Sequence, residues 1–281
     1  MPVPSRRVYH VVYDVSLDNA LQYASKNDWT GIAPDFSVPR FSPERVSPQA
    51  RKGLLELSET LGLEWGFHAP GDDVSLFTTY PLIRDAIIGY FKQAIDFARD
   101  VSVGRTNLVI HSGHPPMFRR AGEKEDAFLN ENYTVFENAL FENVLSLVEH
   151  AHPDVDIVLE NQGWDALVRH AIPSLIARGM RLCLDIPKLY DSNLEIVRPD
   201  LRLFQQFSES IEVVHIHDII PGLGSHQVVG SGRISFTPAL ELLAGIEHPL
   251  QYVFETRPRE AATESMARFN ALLSDLGLVL Q

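Results

Sequence analysis

Eight short apolar runs of strand length, each followed by a stretch with helical spacing, dominate this chain. The runs span residues 8–13, 30–33, 64–68, 107–111, 156–160, 181–185, 212–217 and 252–255. Helical patterns follow at 17–26, 47–61, 81–101, 127–150, 165–177, 201–207, 238–243 and 260–276. Nearly continuous apolar strands such as Ile157-Val158-Leu159 suit a parallel sheet covered by helices. Strand–helix alternation implies right-handed βαβ crossovers, and eight such units close naturally into a (β/α)8 TIM barrel. The expectation is therefore an α/β chain forming one TIM-barrel domain over residues 1–281, near the roughly 250 residues typical of that fold. An open doubly wound sheet is the alternative, but no GxGxxG follows the first strand. Residues 34–48 and 218–238 are long enough without helical or strand pattern to be functional loops. Residues 191–200 are read as a further loop over the same end of the barrel.

The strand ends carry the chemistry. His68 ends the third run, His111 the fourth, Glu160 the fifth and Asp185 the sixth. His215 and His217 end the seventh, and Glu255 the eighth. In a TIM barrel these ends converge on the C-terminal mouth, where active sites lie. Any one of them, taken alone, has a structural reading as a satisfied buried histidine or a capping carboxylate. Glu160, Asp185 and Glu255 together do not, because converging carboxylates repel one another and are costly to bury unpaired. A cation is the simplest neutraliser. Carboxylate and imidazole donors suit one divalent ion such as Mn²⁺, Co²⁺, Mg²⁺ or Zn²⁺.

Composition narrows the function classes. The formal net charge of −13 at pH 7 disfavours a nucleic-acid partner. The single cysteine, Cys183, cannot form an internal disulfide and sits in an apolar strand, so it reads as core in a reducing, cytoplasmic setting. No apolar run reaches the roughly 18 residues of a membrane span, and no signal-peptide pattern opens the chain.

An ordered set of short motifs accompanies these strand ends. It comprises Phe67-His68-Ala69-Pro70, Val109-Ile110-His111-Ser112-Gly113, Val158-Leu159-Glu160-Asn161, Leu184-Asp185, Val214-His215-Ile216-His217-Asp218, Gly230-Ser231-Gly232-Arg233-Ile234-Ser235-Phe236 and Val253-Phe254-Glu255-Thr256. In order and spacing the set resembles the xylose-isomerase-like TIM barrel superfamily. That superfamily includes sugar and sugar-phosphate isomerases and epimerases, inosose dehydratases and the AP endonuclease family 2 enzymes. The resemblance implies a metal held by Glu160, Asp185, His215 and Glu255, as in the ketose 3-epimerase branch. It also implies that Glu160 and Glu255 transfer protons through an enediolate. The substrate would then be a small sugar or polyol, and a homo-oligomer would be in keeping with such barrels.

His68, His111, Asn161, Lys188, His217 and His226 are the candidate substrate-binding residues. Asn161 either orients Glu160 or binds a hydroxyl. Alternation puts His215 and His217 on one strand face, so His217 competes with His215 as ligand. Two departures from the family pattern bear on substrate class. Lys188 stands where a histidine is usual, either as an anion-binding or enolate-stabilising point charge or as a solvated loop residue. No arginine appears shortly after the seventh strand. An inosose-type dehydratase is the near alternative. A phosphodiesterase of the endonuclease kind is the remote one, because Lys188 and Gly224 replace a histidine and an aspartate of its metal set. Trp65 and Trp164 either stack on a sugar ring or pack between strand and helix.

Overall fold

The computed structural model describes residues 6–11, 16–71, 74–116 and 127–280; the expected strand residues 12–13 lie outside these. Strands β1 (Arg6–Val11), β2 (Gly31–Pro34), β3 (Glu64–Trp65), β4 (Phe67–His68), β5 (Thr106–Ile110), β6 (Val155–Glu160), β7 (Arg181–Asp185), β8 (Ile211–Ile216) and β11 (Gln251–Phe254) form one sheet. Every neighbour pair in it is parallel. The order is β3-β2-β1-β11-β8-β7-β6-β5-β4. Its two edges, β3 and β4, are one stretch of chain divided at Gly66. The Gly66 N–H donates to the Ile32 carbonyl at 3.0 Å, and the Phe36 N–H to the His68 carbonyl at 2.9 Å. The sheet therefore closes on itself as the expected (β/α)8 barrel, and β3 and β4 count as one barrel strand.

Helices α1 (Leu17–Lys26), α2 (Pro48–Leu61), α3 (Pro81–Val101), α4 (Ala127–Glu131), α5 (Tyr133–Ala151), α6 (Ala166–Ile176), α7 (Arg198–Gln206), α8 (Thr237–Leu243) and α9 (Arg259–Leu276) accompany it. Apolar spacing explains their burial: Leu17, Ala20, Leu21 and Ala24 form the inner stripe of α1. Caps set their starts. Ser47 accepts the Ala50 N–H ahead of α2, and Asp165 accepts the Val168 N–H ahead of α6. The helix expected over 127–150 is interrupted between α4 and α5. The stretch 218–238 is not structureless, since it holds an antiparallel hairpin of β9 (Asp218–Ile220) and β10 (Gly224–Gln227). Among the described residues no helix is long and apolar enough to cross a membrane.

The core has two parts. One fills the space between sheet and helices. The other is a layer inside the barrel made of Val8, Ala33, Val109, Val158, Cys183, Val213 and Val253. Small and β-branched side chains suit the narrow interior of such a barrel. Cys183 is wholly buried in this layer, as its sequence context implied. Below the layer, the Asn107 amide donates to Gln251 Oε1 at 2.9 Å. Above it lies the mouth.

Gly31 marks the tightest strand approach. A Cβ there would stand 2.4 Å from the Glu64 carbonyl oxygen and 2.9 Å from Val8 Cγ1. The β2–β3 pairing would have to open to admit it. Gly31→Ala is expected to destabilise the chain by about 1–3 kcal/mol, read as a lower midpoint in urea unfolding. Wild-type stability in that variant would contradict the closure described here.

Candidate functional site

Side chains of a strand alternate, so each residue two positions beyond the valine layer points into the mouth. Val109 leads to His111, Val158 to Glu160, Cys183 to Asp185, Val213 to His215 and Val253 to Glu255. Parallel register staggers them around the barrel: Asp185 pairs with His215, while Glu160 pairs with Cys183 and His215 with Val253. Glu160, Asp185, His215 and Glu255 are each 3% exposed or less. The predicted strand-end set thus shares one mouth.

Glu160 Oε2 is the focus. His68 Nε2 lies 3.2 Å from it, His111 Nε2 3.3 Å and His215 Nδ1 3.1 Å. His215 Nδ1 is also 3.2 Å from Glu255 Oε1. One carboxylate oxygen cannot satisfy three imidazole nitrogens, and the buried His111 Nε2 and His215 Nδ1 have no hydrogen-bond partner. Donors bound at roughly 2.0–2.2 Å to one ion stand roughly 3.0–3.5 Å from one another. The spacing and chemistry of this cluster fit a divalent cation. His68, Glu160 and His215 form one compact donor group, and Asp185, His215 and Glu255 a second.

The same geometry separates His215 from His217. The His226 N–H donates to His217 Nδ1 at 3.1 Å, which leaves Nε2 as the N–H facing Asp185 Oδ2 at 3.3 Å. Both nitrogens of His217 are hydrogen-bonded, whereas His215 Nδ1 makes no hydrogen bond. The His226 ring lies against that of His217, tilted by 31° with centroids 4.5 Å apart, and its Nε2 is 3.6 Å from Glu255 Oε2. A group of His217, His226 and Glu255 is a further set of donors beside the first two.

Lys188 is not a solvated loop residue. Its ammonium contacts Glu160 Oε1 and lies 3.2 Å from Asp185 Oδ2. Burial alone raises the Glu160 carboxyl, but Lys188, His111 and His215 outweigh it and hold Glu160 well below the usual carboxylate range. Asp185 is lowered in the same way, with Lys188 and His217 overcoming its burial. Asn161 does not line the cavity. It accepts the Asp185 N–H at 2.7 Å and donates to the Asp185 carbonyl at 3.0 Å, so it latches the end of β6 to β7.

Over these groups opens a cavity of about 380 Å³, walled by His68, His111, Lys188, His217, His226 and Glu255. Asp35, Gln162, Tyr190 and Arg257 also face it and were not anticipated. Asp35 and Arg257 each lie two residues beyond an inward strand position, Ala33 and Glu255, so alternation is a signal that would have found them. Residues 191–200 do not line it, although the preceding Tyr190 does. The hairpin side is fastened by Asp218, which is 1% exposed. Its carboxylate accepts N–H groups from Ile219 at 2.7 Å, Gly230 at 3.0 Å and Gly232 at 2.9 Å. Gly232 is required there, because a Cβ would fall 2.1 Å from Asp218 Oδ1. Both tryptophans pack rather than stack on ligand. Trp164 donates to the Glu160 carbonyl at 2.7 Å and stacks on Phe204, and Trp65 faces a cleft at the opposite end of the barrel.

His68 gives the site a pH signature when no metal is bound. Burial pulls its imidazolium down, but the hydrogen bond to Glu160 and the charges of Asp35, Glu160 and Glu255 carry it up to about 9 from 6.5. A group raised on folding stabilises fully below its unfolded value and loses that contribution as pH rises through the folded one. The chelator-treated chain is expected to lose thermal stability between about pH 6.5 and about pH 9. A flat or rising melting temperature over that interval would contradict the His68–Glu160 pairing.

These features accord with known proteins. The family described as xylose isomerase-like TIM barrel matches residues 21–272. No curated protein matches the chain in sequence. Among solved structures, a D-tagatose 3-epimerase-like protein superposes with a TM-score of 0.74 at 19% identity, over 97% of this chain and 98% of that one. Endonuclease IV from Thermus thermophilus superposes with a TM-score of 0.68 at 17% identity, over 96% and 99%. The IolI protein with a bound zinc atom gives 0.67 at 15% identity, over 96% and 97%. At these identities the structures share the fold alone. From the family match over most of its length, the chain belongs to the xylose isomerase-like TIM barrel family.

Proposed function

We propose that this chain is a divalent-metal-dependent isomerase or epimerase acting on a small sugar or polyol through an enediolate. One observation carries the reading. His215 Nδ1, buried and without a hydrogen-bond partner, lies between Glu160 Oε2 and Glu255 Oε1 beneath a polar cavity of monosaccharide scale. Glu160, Asp185, His215 and Glu255 would hold the ion, with His68 as a neighbouring donor. When bound, it would polarise the substrate carbonyl and adjacent hydroxyl and lower the cost of the enediolate.

The remaining roles belong to the chain. Glu255 lines the cavity, so it is the carboxylate that takes the proton α to the carbonyl. Glu160 is the second carboxylate; return of the proton to the opposite face gives epimerisation, and return to the neighbouring carbon gives isomerisation. His111 and His226 face the cavity as partners for substrate hydroxyls. Lys188 brings a fixed positive charge to the developing oxyanion. The D-tagatose 3-epimerase-like neighbour supports a ketose as substrate class, and the zinc-containing IolI neighbour supports a metal. An inosose-type dehydratase would use the same enolate and is distinguished by loss of a β-hydroxyl as water. A phosphodiesterase is disfavoured by the net charge of −13 and by Gly224, which offers no donor.

The test is turnover of a ketose panel in D₂O with Mn²⁺, Co²⁺ or Zn²⁺ supplied. Wild type is expected to place solvent deuterium on the carbon beside the carbonyl. Glu255→Gln and Glu160→Gln are each expected to slow this by about 10²–10⁴-fold without loss of fold. Near-wild-type exchange in either variant would remove the two-carboxylate mechanism.

A further inference from the structure

The mouth buries three carboxylates, Glu160, Asp185 and Glu255. Their oxygens divide into two sides. Glu160 Oε2 and Glu255 Oε1 face His215 Nδ1 at 3.1 and 3.2 Å. Glu160 Oε1 and Asp185 Oδ2 face the Lys188 ammonium, the latter at 3.2 Å. Lys188 follows β7 in the 3-10 turn Pro187–Leu189. Its own N–H donates to Asp185 Oδ1 at 3.1 Å, so backbone and ammonium both bind the same carboxylate. Pro187 and Leu189 are buried on either side, which holds the turn in place. The lysine is therefore built into the site rather than resting over it.

Charge counting gives this position a meaning. Three ionised carboxylates bring three negative charges. In the metal-bound site Lys188 supplies one positive charge and a single divalent ion the other two, with Asp35 and Arg257 on the cavity wall offsetting each other. A second divalent ion shared by Glu160 and Asp185 would have to stand where the ammonium stands, and like charges at that separation repel strongly in a buried site.

We propose that Lys188 is a tethered counter-cation that occupies the Glu160–Asp185 side of the mouth, restricting the chain to one divalent ion on the His215–Glu255 side. The inference rests on the divalent-ion reading of the site. It has two consequences. The metal-free chain keeps part of its carboxylate cluster neutralised and stays folded. Removal of the ammonium frees two carboxylate oxygens for a second ion.

The test counts metal by isothermal titration with Mn²⁺ and Zn²⁺, in wild type, Lys188→Met and Lys188→Arg, and measures the melting temperature of each after chelation. Wild type is expected to take up one equivalent and Lys188→Met two. Metal-free Lys188→Met is expected to melt roughly 10 °C lower, because one cation has left buried carboxylates uncompensated. Lys188→Arg keeps the charge and is expected to restore single stoichiometry and most of the melting temperature. A Lys188→Met chain that folds only with metal present, while Lys188→Arg folds without it, also supports the proposal. One equivalent in both wild type and Lys188→Met, with equal metal-free melting temperatures, would overturn the role of Lys188 and leave the metal reading standing. Two equivalents in wild type would overturn it as well. No uptake by any of the three would bring down the divalent-ion reading itself, and this inference with it.

Discussion

The two-residue period of a strand inside a closed barrel is the constraint on which this site depends. Closure at Gly66 forces every strand to turn alternate side chains inward. The interior is narrow, so one level is filled by Val8, Ala33, Val109, Val158, Cys183, Val213 and Val253. The next inward position on five of these strands carries His111, Glu160, Asp185, His215 or Glu255. The apolar level excludes water from beneath and forms the floor on which the ionisable level rests. Stability and chemistry are thus separated by a single step of two residues along the chain.

The step has an electrostatic cost. Carboxylates that share a buried mouth repel each other and lose their hydration. The chain answers with cations and donors from several directions. Lys188 comes from the turn after β7, His68 and His111 from β4 and the end of β5, and His217 from the end of β8. Supporting contacts hold this set in register. Asn161 fastens the backbone of Asp185, and Asp218 gathers three backbone N–H groups where the hairpin returns to the barrel. In the mouth, His111 Nε2 and His215 Nδ1 converge on carboxylate oxygens without a hydrogen bond. That arrangement suits a divalent cation.

Much of this was legible in the sequence because the signals were local. Periodicity and end signals define α1 at Leu17–Lys26, α3 at Pro81–Val101 and β7 at Arg181–Asp185 with the bounds seen in the structure. The strand-end residues were legible for the same reason, since strand length and polarity alone place them. The hairpin β9–β10 was not. Its turn, Pro221-Gly222-Leu223-Gly224, reads as loop, and its closure depends on Asp218 reaching residues twelve and more positions away. Asn161 reads from sequence as orienting Glu160 or binding a hydroxyl, because nothing local reveals that its amide pairs with the Asp185 backbone across the β6–β7 boundary. Local sequence leaves Lys188 between two readings, because the turn after β7, not residue type, directs its ammonium onto Glu160.

The central claim is that these residues compose one metal site. Its most direct test is a crystal structure of protein soaked in Zn²⁺ or Mn²⁺, with anomalous scattering recorded at the metal edge. The account predicts a single strong peak in the mouth, ligated by Glu160, Asp185, His215 and Glu255. Absence of a peak there under saturating metal, or a peak only at surface carboxylates, would contradict it.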